Sequence, residues 1–546
     1  MSTTEADAEA SVDERSLPDR RLRLIAGSGE DAQGLLTLLD TTEITVHLTP
    51  EQPSWRHQVL ALTMVDLLGR LFPRQNIVCS PEAASDPALP PGPDRLLDRL
   101  HAAADHGTLH RPTQPPTRRL TVVVGGSEPH EIPATATQGQ ALYVDGGGWQ
   151  SYTGTVPSRL PDAWPQVPIG AMAAACRAAG ILTAKALEPV AGNAPVEASV
   201  YASALTHTAG ADPIDDEGDD AASTTWTAPH IDAVLAGAGS VGGAVAYALA
   251  MTPGLSGRLV VCDPQALEGQ NLDRALLATA ADTEAELPKV EVVEAALAHL
   301  GNLDVQPHQG KVADWIASHP EPFPLPVVLI TVDALEERRA IQDGLPLDVL
   351  NAACNATEVM ISGHRTGTGP CVCCLHMAMV LDAENVKAAM ISRETGMPKI
   401  AVEQHLTSRP PMPAPMLRQI ERHRDLAEGS LAQYEDQTLH DLWDGYLLYG
   451  STQVQYGQAT VAVAAPYVTA LAGTLLAGEL LKASTPGLAR YRLGPSGSFA
   501  KYEERVTASP LNAILTNPAR WPGAECLCRS ARRQRLLNAR YGLEEV

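Results

Sequence analysis

The stretch Ala233-Val-Leu-Ala-Gly237-Ala-Gly239-Ser-Val-Gly242 decides the fold. Four small apolar residues predict a buried strand, three glycines a turn, and the Ala-rich run to about Ala250 a helix, after which Leu259-Val-Val-Cys262 predicts a second strand. Strand, glycine turn, helix and strand open a nucleotide-binding βαβ unit. Glycines permit the tight turn and a close backbone approach, and the helix N-terminus offers unpaired N–H groups to negative charge. Asp263 follows Gly242 by 21 residues, at the end of the second strand, where a carboxylate can accept hydrogen bonds from ribose hydroxyls. Loop and acid alone suit NAD as well as ATP.

The residues downstream separate the two. Asn271, Arg274 and Lys289 follow Asp263, and Asp333 closes a further buried strand at Val327 to Ile330. Arginine and lysine beside a phosphate loop supply positive charge to a transferring phosphoryl centre, and an acid at a strand end can hold Mg²⁺. Hydride transfer has no need of that set.

Asp263-Pro-Gln-Ala-Leu-Glu-Gly-Gln-Asn271-Leu-Asp-Arg274, then Pro288-Lys289-Val-Glu291 and Val332-Asp333-Ala-Leu-Glu-Glu-Arg338, resembles the adenylation domain of the ThiF/ubiquitin-activating enzyme superfamily. The resemblance runs from about Asp232 to Met377 and resumes from Pro466 to Cys528. It implies an α/β, Rossmann-like ATP-binding domain in which Asp263 holds the ribose, Asn271, Arg274 and Lys289 surround the triphosphate, and Asp333 coordinates Mg²⁺. Gly237, Gly239 and Gly242 form the phosphate loop. The implied reaction is attack of a carboxylate on the ATP α-phosphorus, giving an acyl adenylate, with Arg274, Lys289 and Asp333 as its catalytic residues. The implied substrates are the C-terminus of a ubiquitin-like or sulfur-carrier protein, or a short peptide precursor of a natural product. A structural zinc is implied on Cys371, Cys374, Cys526 and Cys528, with Cys373 and His376 as competing ligands. Three departures stand out: Gln265 replaces a second acid, Ala275 replaces a glutamine, and no arginine-bearing helix is evident between Val196 and His230. Arg338 is then a candidate for an additional phosphate-binding arginine, beside its reading as a surface helix charge.

Around this core the 546 residues divide into a charged tail, 1–20, a smaller N-terminal α/β domain, 21–191, an acidic linker, 192–229, and the adenylation domain, 230–546, with a helical insertion at about 377–455. Pro410, Pro411, Pro413 and Pro415 split that insertion into at least two helices. Pro168-Ile-Gly-Ala-Met-Ala-Ala-Ala-Cys-Arg-Ala-Ala-Gly180 echoes Pro466-Tyr-Val-Thr-Ala-Leu-Ala-Gly-Thr-Leu-Leu-Ala-Gly478, so the N-terminal domain is a candidate degenerate copy of the second. Its only imitation of a glycine loop is Ala26-Gly-Ser-Gly29. Either a homodimer or an intramolecular pseudo-dimer fits.

Composition sets outer limits. With 40 Lys plus Arg against 64 Asp plus Glu, the formal charge of -24 argues against a nucleic-acid-coating role, which needs a basic surface. Only 3 Phe among 45% hydrophobic residues predicts a core of Ala, Leu and Val. The longest apolar run, Ala459 to Leu481, is broken by Pro466, Thr469, Thr474 and Glu479, so no membrane partner is expected. The polar start Met-Ser-Thr-Thr-Glu-Ala-Asp predicts a cytoplasmic protein, where clustered thiols are metal ligands or reactive groups. No cysteine lies between Cys374 and Cys526, so direct transfer without a thioester is expected, with Cys354 buried and inert. An NAD-dependent oxidoreductase and a non-catalytic scaffold are the alternative readings.

Overall fold

The computed structural model describes residues 32–106, 115–125, 141–158, 160–161, 166–191, 199–214, 226–319, 323–354, 358–366, 371–372, 388, 391–392, 395–424, 426, 428–443, 454–456, 459–461, 465–493, 499–503, 512–516 and 530–543. The described N-terminal half contains helices α1 (Ala32–Thr41), α2 (Trp55–Gly69), α3 (Leu96–Asp105) and α4 (Ile169–Ala191). Its strands are β1 (Thr42–Leu48), β2 (Gln75–Val78), β3 (Arg118–Val124), β4 (Ala141–Gly147), β5 (Gln150–Gly154), β6 (Val200–Ser203) and β7 (Thr208–Gly210). They form one sheet in the order β2-β1-β3-β4-β5-β6-β7. The sheet is parallel from β2 to β4 and antiparallel from β4 to β7.

The second half supplies β8 (His230–Ala236), α5 (Ser240–Ala250), β9 (Ser256–Cys262), α6 (Ala280–Glu284), α7 (Lys289–Leu297), β10 (Leu303–His308), α8 (Val312–Ala317), β11 (Val327–Ile330), α9 (Leu335–Asp343), β12 (Asp348–Cys354) and β13 (Glu358–Arg365). After the insertion come α13 (Pro466–Ser484), β16 (Phe499–Glu503), β17 (Asn512–Thr516) and α14 (Ala531–Tyr541). The sheet order is β10-β9-β8-β11-β12-β13-β16-β17. Without its edge strand β10, this sheet has the strand order and the strand directions of the first, with β8 in the place of β1 and β9 in that of β2. The two echoing segments are α4 and α13, which occupy equivalent places and pack on one another. A Cβ at Gly473 would meet the Val241 carbonyl oxygen at 2.4 Å, so α13 needs that glycine to lie against α5.

One hydrophobic core spans both halves, with Leu60, Met64, Ala174, Ala178, Leu249 and Leu476 among its fully buried members. It is the Ala-, Leu- and Val-rich interior that the composition calls for. α4 is long and apolar enough to cross a membrane by length and composition, which the sequence reading overlooked, but 89% of the relevant window is buried against the rest of the chain. The segment expected as a linker, 192–229, contains β6 and β7, because these short strands complete the N-terminal sheet. The acidic run Asp215 to Asp220, the tail 1–20 and the partial loop Ala26 to Gly29 lie outside the described residues.

In the insertion, α10 (Lys399–Ser408), α11 (Ala414–His423) and α12 (Leu439–Leu442) pack around a separate core of Val402, Leu417, Ile420, Leu431 and Leu442. Arg409, with φ +48°, ends α10, and the proline run turns the chain into α11. Buried Glu421 accepts from the amides of Gly429 and Leu431, at 3.1 and 2.7 Å, and so ties the following turn to α11. A two-stranded ribbon, β14 (Val454–Tyr456) with β15 (Ala459–Val461), leads back towards α13.

A buried charge cluster joins the halves. His207 Nε2 lies 2.7 Å from Glu479 Oε1, and Glu479 also pairs with Lys482 and accepts from the Leu493 amide at 2.6 Å. Lys482 Nζ donates to the carbonyls of Ala204 and Leu205, each at 3.1 Å, and to that of Tyr491 at 3.2 Å. Burial alone would raise the Glu479 carboxyl, but Lys482 and His207 pull it down to about 2. Burial, and then the Lys482 charge, hold His207 below its ordinary value. Both groups are depressed, so the unfolded chain takes up protons first and stability falls as pH drops below about 6.5 for His207 and about 4.3 for Glu479. In His207→Asn, whose side chain tolerates the local φ of +55°, the fall in Tm between pH 7.5 and 5.5 should be smaller than in the parent chain, as read by calorimetry. An undiminished fall would place that titration elsewhere.

Candidate active site

Register brings the site together. In the parallel sheet Ala236 stands opposite Cys262 on β9 and Ile330 on β11, so Gly237, Asp263 and Thr331 emerge side by side at the strand ends. β8 is followed by β9 on one side and flanked by β11 on the other, the point at which open α/β sheets bind ligands.

The glycine loop is built as the sequence predicts, with one addition. Gly237 has φ +96°, and a Cβ on Gly242 would meet the Gly237 oxygen at 2.0 Å, so these two glycines are set by backbone geometry. Gly239, the N-cap of α5, is different: a Cβ there would meet no atom within 4 Å, and its surroundings are open. The addition is Thr331, whose hydroxyl lies 2.8 Å from both the Ala236 and Gly237 carbonyls and ties the loop to β11. A lone threonine after a strand gave no signal of this in the sequence.

Asp263 is buried and lies against the loop itself. Its Oδ2 accepts from the Ala238 amide at 2.7 Å and its Oδ1 from the Gln265 amide at 2.8 Å, leaving further lone pairs for a ribose hydroxyl. Gln265, in the position of the missing second acid, accepts from Lys289 Nζ through Oε1 at 2.6 Å. Among the described residues the buried Lys289 ammonium is held by a neutral amide and forms no ion pair, which suits a site for an anion. Glycine loop, Asp263, Gln265 and Lys289 form one hydrogen-bonded chain.

Asn271 and Arg274 sit on the loop that follows. Asn271 Oδ1 accepts from the Glu268 amide at 2.9 Å, part of a reciprocal cap on the short 3₁₀ turn Gly269–Asn271. Arg274 is half-buried and close enough to Cys354, at the end of β12, to act on its thiol. Burial pushes that thiol up to about 11 in spite of Arg274 and Arg338, which leaves Cys354 a poor nucleophile. Asp333 is exposed just beyond β11.

Arg338 does not fit its reading as a surface charge, because it is buried. Its guanidinium pairs with Asn351 Oδ1 and donates to the Ala352 carbonyl at 3.2 Å, so it braces β12. For the expected zinc site, Cys374, Cys526 and Cys528, with Cys373 and His376, lie outside the described residues. Cys371 is buried, and among the described residues no three His, Cys, Asp or Glu side chains gather as a metal site.

The sequence matches the ThiF family over residues 227–508, the span that contains the glycine loop, Asp263, Asn271, Arg274, Lys289 and Asp333, whereas Cys526 and Cys528 lie beyond it. The chain belongs to the ThiF family. The uncharacterized protein y4jF of Sinorhizobium fredii is 29% identical over 302 residues, which cover 54% of this ThiF-family chain and 55% of y4jF. The chain thus spans about half the length of the curated relative it matches. Among solved structures, Escherichia coli MccB with AMPCPP and MccA aligns with TM-score 0.31 and 13% identity, over 54% of this chain and 65% of that one. PaaA aligns with TM-score 0.30 and 12% identity, over 52% and 72%. At such scores these two likenesses say nothing of the substrate.

The two kinds of glycine predict different behaviour. Gly242→Ala must push the loop off α5 and should cost roughly 1–3 kcal/mol, whereas Gly239→Ala meets no clash and should cost less, up to about 1 kcal/mol for the poorer N-cap. Urea unfolding of the two variants checks this.

Proposed function

We propose that this chain uses ATP to adenylate a carboxylate, releasing pyrophosphate, and that the acyl group of the adenylate passes directly to another nucleophile with release of AMP. The observation that carries the reading is the hydrogen-bonded chain from the Ala238 amide through Asp263 and Gln265 to Lys289, which puts a ribose acceptor and a buried cation held by a neutral amide beside an open glycine loop. Membership of the ThiF family supports ATP over a redox dinucleotide.

The open backbone at Gly239 and the first-turn amides of α5 would receive the triphosphate, and Asp263 the ribose hydroxyls. ATP supplies the activated α-phosphorus and a good leaving group. Lys289 and Arg274 would stabilise the charge that builds on the phosphate oxygens. Asp333, exposed at the strand end, would hold Mg²⁺ together with phosphate oxygens, since one carboxylate suffices when the nucleotide supplies the rest. No side chain has to move a proton at phosphorus, because the attacking carboxylate is already ionised. The raised thiol of Cys354 favours direct transfer over a thioester on that residue.

The carboxylate is assigned to the C-terminus of a ubiquitin-like or sulfur-carrier protein or to a precursor peptide, and the self-contained helical insertion is the proposed docking element. The common strand order of the two halves and their shared core support an intramolecular pseudo-dimer with a degenerate N-terminal copy. Cys371, Cys374, Cys526 and Cys528 are proposed to hold a structural zinc, and the cytoplasm is the proposed compartment.

Pyrophosphate release that depends on an added carboxylate tests the activity. Lys289→Ala and Asp333→Ala should each lower it by about 10²-fold or more, and Gly239→Ala should weaken ATP binding with little loss of stability. Absence of ATP binding by the parent chain, or binding of a nicotinamide dinucleotide in its place, would overturn the proposal.

A further inference from the structure

The loop that carries Asn271 and Arg274 is held from the other half of the molecule. Arg70 closes α2 as its C-cap, and its side chain is buried, as is that of Asp66 one turn earlier. Asp66 Oδ1 accepts from Arg70 Nε at 3.0 Å and lies 2.8 Å from Nη2, which fixes the guanidinium plane. The remaining N–H groups point across the boundary between the halves. Nη1 donates to the Leu272 carbonyl, and Nη2 lies 3.3 Å from the Leu276 carbonyl and 3.5 Å from that of Ala278. Three carbonyls of one irregular segment thus converge on a single charged fork from a distant part of the chain.

Among the described residues, the backbone–backbone hydrogen bonds of that segment between the 3₁₀ turn at Gly269–Asn271 and α6 are short-range turns, among them Arg274 N to Asn271 O at 3.2 Å and Ala275 N to Asn271 O at 2.9 Å. Its side-chain support is a small cluster of Leu267, Leu272, Ala275 and Ala278, with Leu276 reaching the main core. A planar five-donor group can bind a carboxylate and several carbonyls in one plane, which an ammonium cannot. Tyr247 of α5 lies close to Thr63 and Asp66 at the same corner, from the second half.

We propose that Arg70 is a positioning residue of the nucleotide site: the N-terminal half holds the Arg274 loop in its working shape through the Asp66-braced guanidinium. The inference rests on the reading of Asn271 and Arg274 as nucleotide-binding residues. It also gives the N-terminal half, which has no glycine loop among its described residues, a direct part in the site of the other.

Hydrogen exchange and ATP titration of the full chain test it together. In Arg70→Lys, which keeps a charge beside Asp66, amides of residues 268–279 should exchange about tenfold faster or more while those of β12 and β13 stay unchanged. ATP binding should weaken by about tenfold, and KM for ATP should rise more than kcat falls. Arg70→Ala should show the larger effect if it folds, and where it does not, the lysine variant carries the test. His207→Asn, which disturbs the boundary of the halves elsewhere, should leave exchange at 268–279 as it is. Unchanged exchange in Arg70→Lys, or equally fast exchange in His207→Asn, would overturn the positioning role whatever the ATP result. Faster exchange in a chain that binds no ATP would sustain the clamp and refute the function proposed for the site.

Discussion

The close packing of α4 on α13 is the constraint on which the rest of the molecule depends. Both helices are rich in Ala and Gly, so their backbones approach closely, and each lies against its own sheet and against the helix that follows its first strand. Small side chains contribute little buried area one by one. Their effect is to merge two α/β layers into one core in which aliphatic residues from both halves touch. Neither half has a finished surface on that side.

Two polar devices fix the register of this joint. At one end Glu479 and Lys482 of α13 bind His207 and the carbonyls just before it, in the connection between β6 and β7; at another, Arg70 at the end of α2, braced by Asp66, binds the loop after β9. Such buried charges repay their desolvation only where geometry and additional hydrogen bonds are good, and removal of one partner is costly. They are weak sources of net stability and strong determinants of which surfaces meet. The second of them holds the loop that carries Asn271 and Arg274, so the packing of the halves bears on the shape of that loop.

Within the site, a neutral residue in place of an acid has a definite electrostatic consequence. A carboxylate at position 265 would neutralise Lys289, whereas the amide of Gln265 orients the ammonium and leaves its charge available. The departure from the family pattern at Gln265 is therefore compatible with anion binding. Arg338, which the sequence also offered as a surface charge, is buried and braces β12 through Asn351 and Ala352.

What the sequence determined by itself was local: the βαβ opening, the glycine loop, Asp263 at the end of its strand, the helical insertion broken by its prolines, and an aliphatic core. These follow from periodicity, backbone restrictions and residue volume, which act over a few neighbours and can be read in order along the chain. The Thr331 tie, the Gln265 to Lys289 bond, the fate of Arg338 and the reach of Arg70 to residues some 200 positions away were decided by tertiary structure alone. Each depends on which strand ends lie side by side and which helices meet, and a charged or polar side chain carries no mark in the sequence of the carbonyl or carboxylate that folding will bring to it.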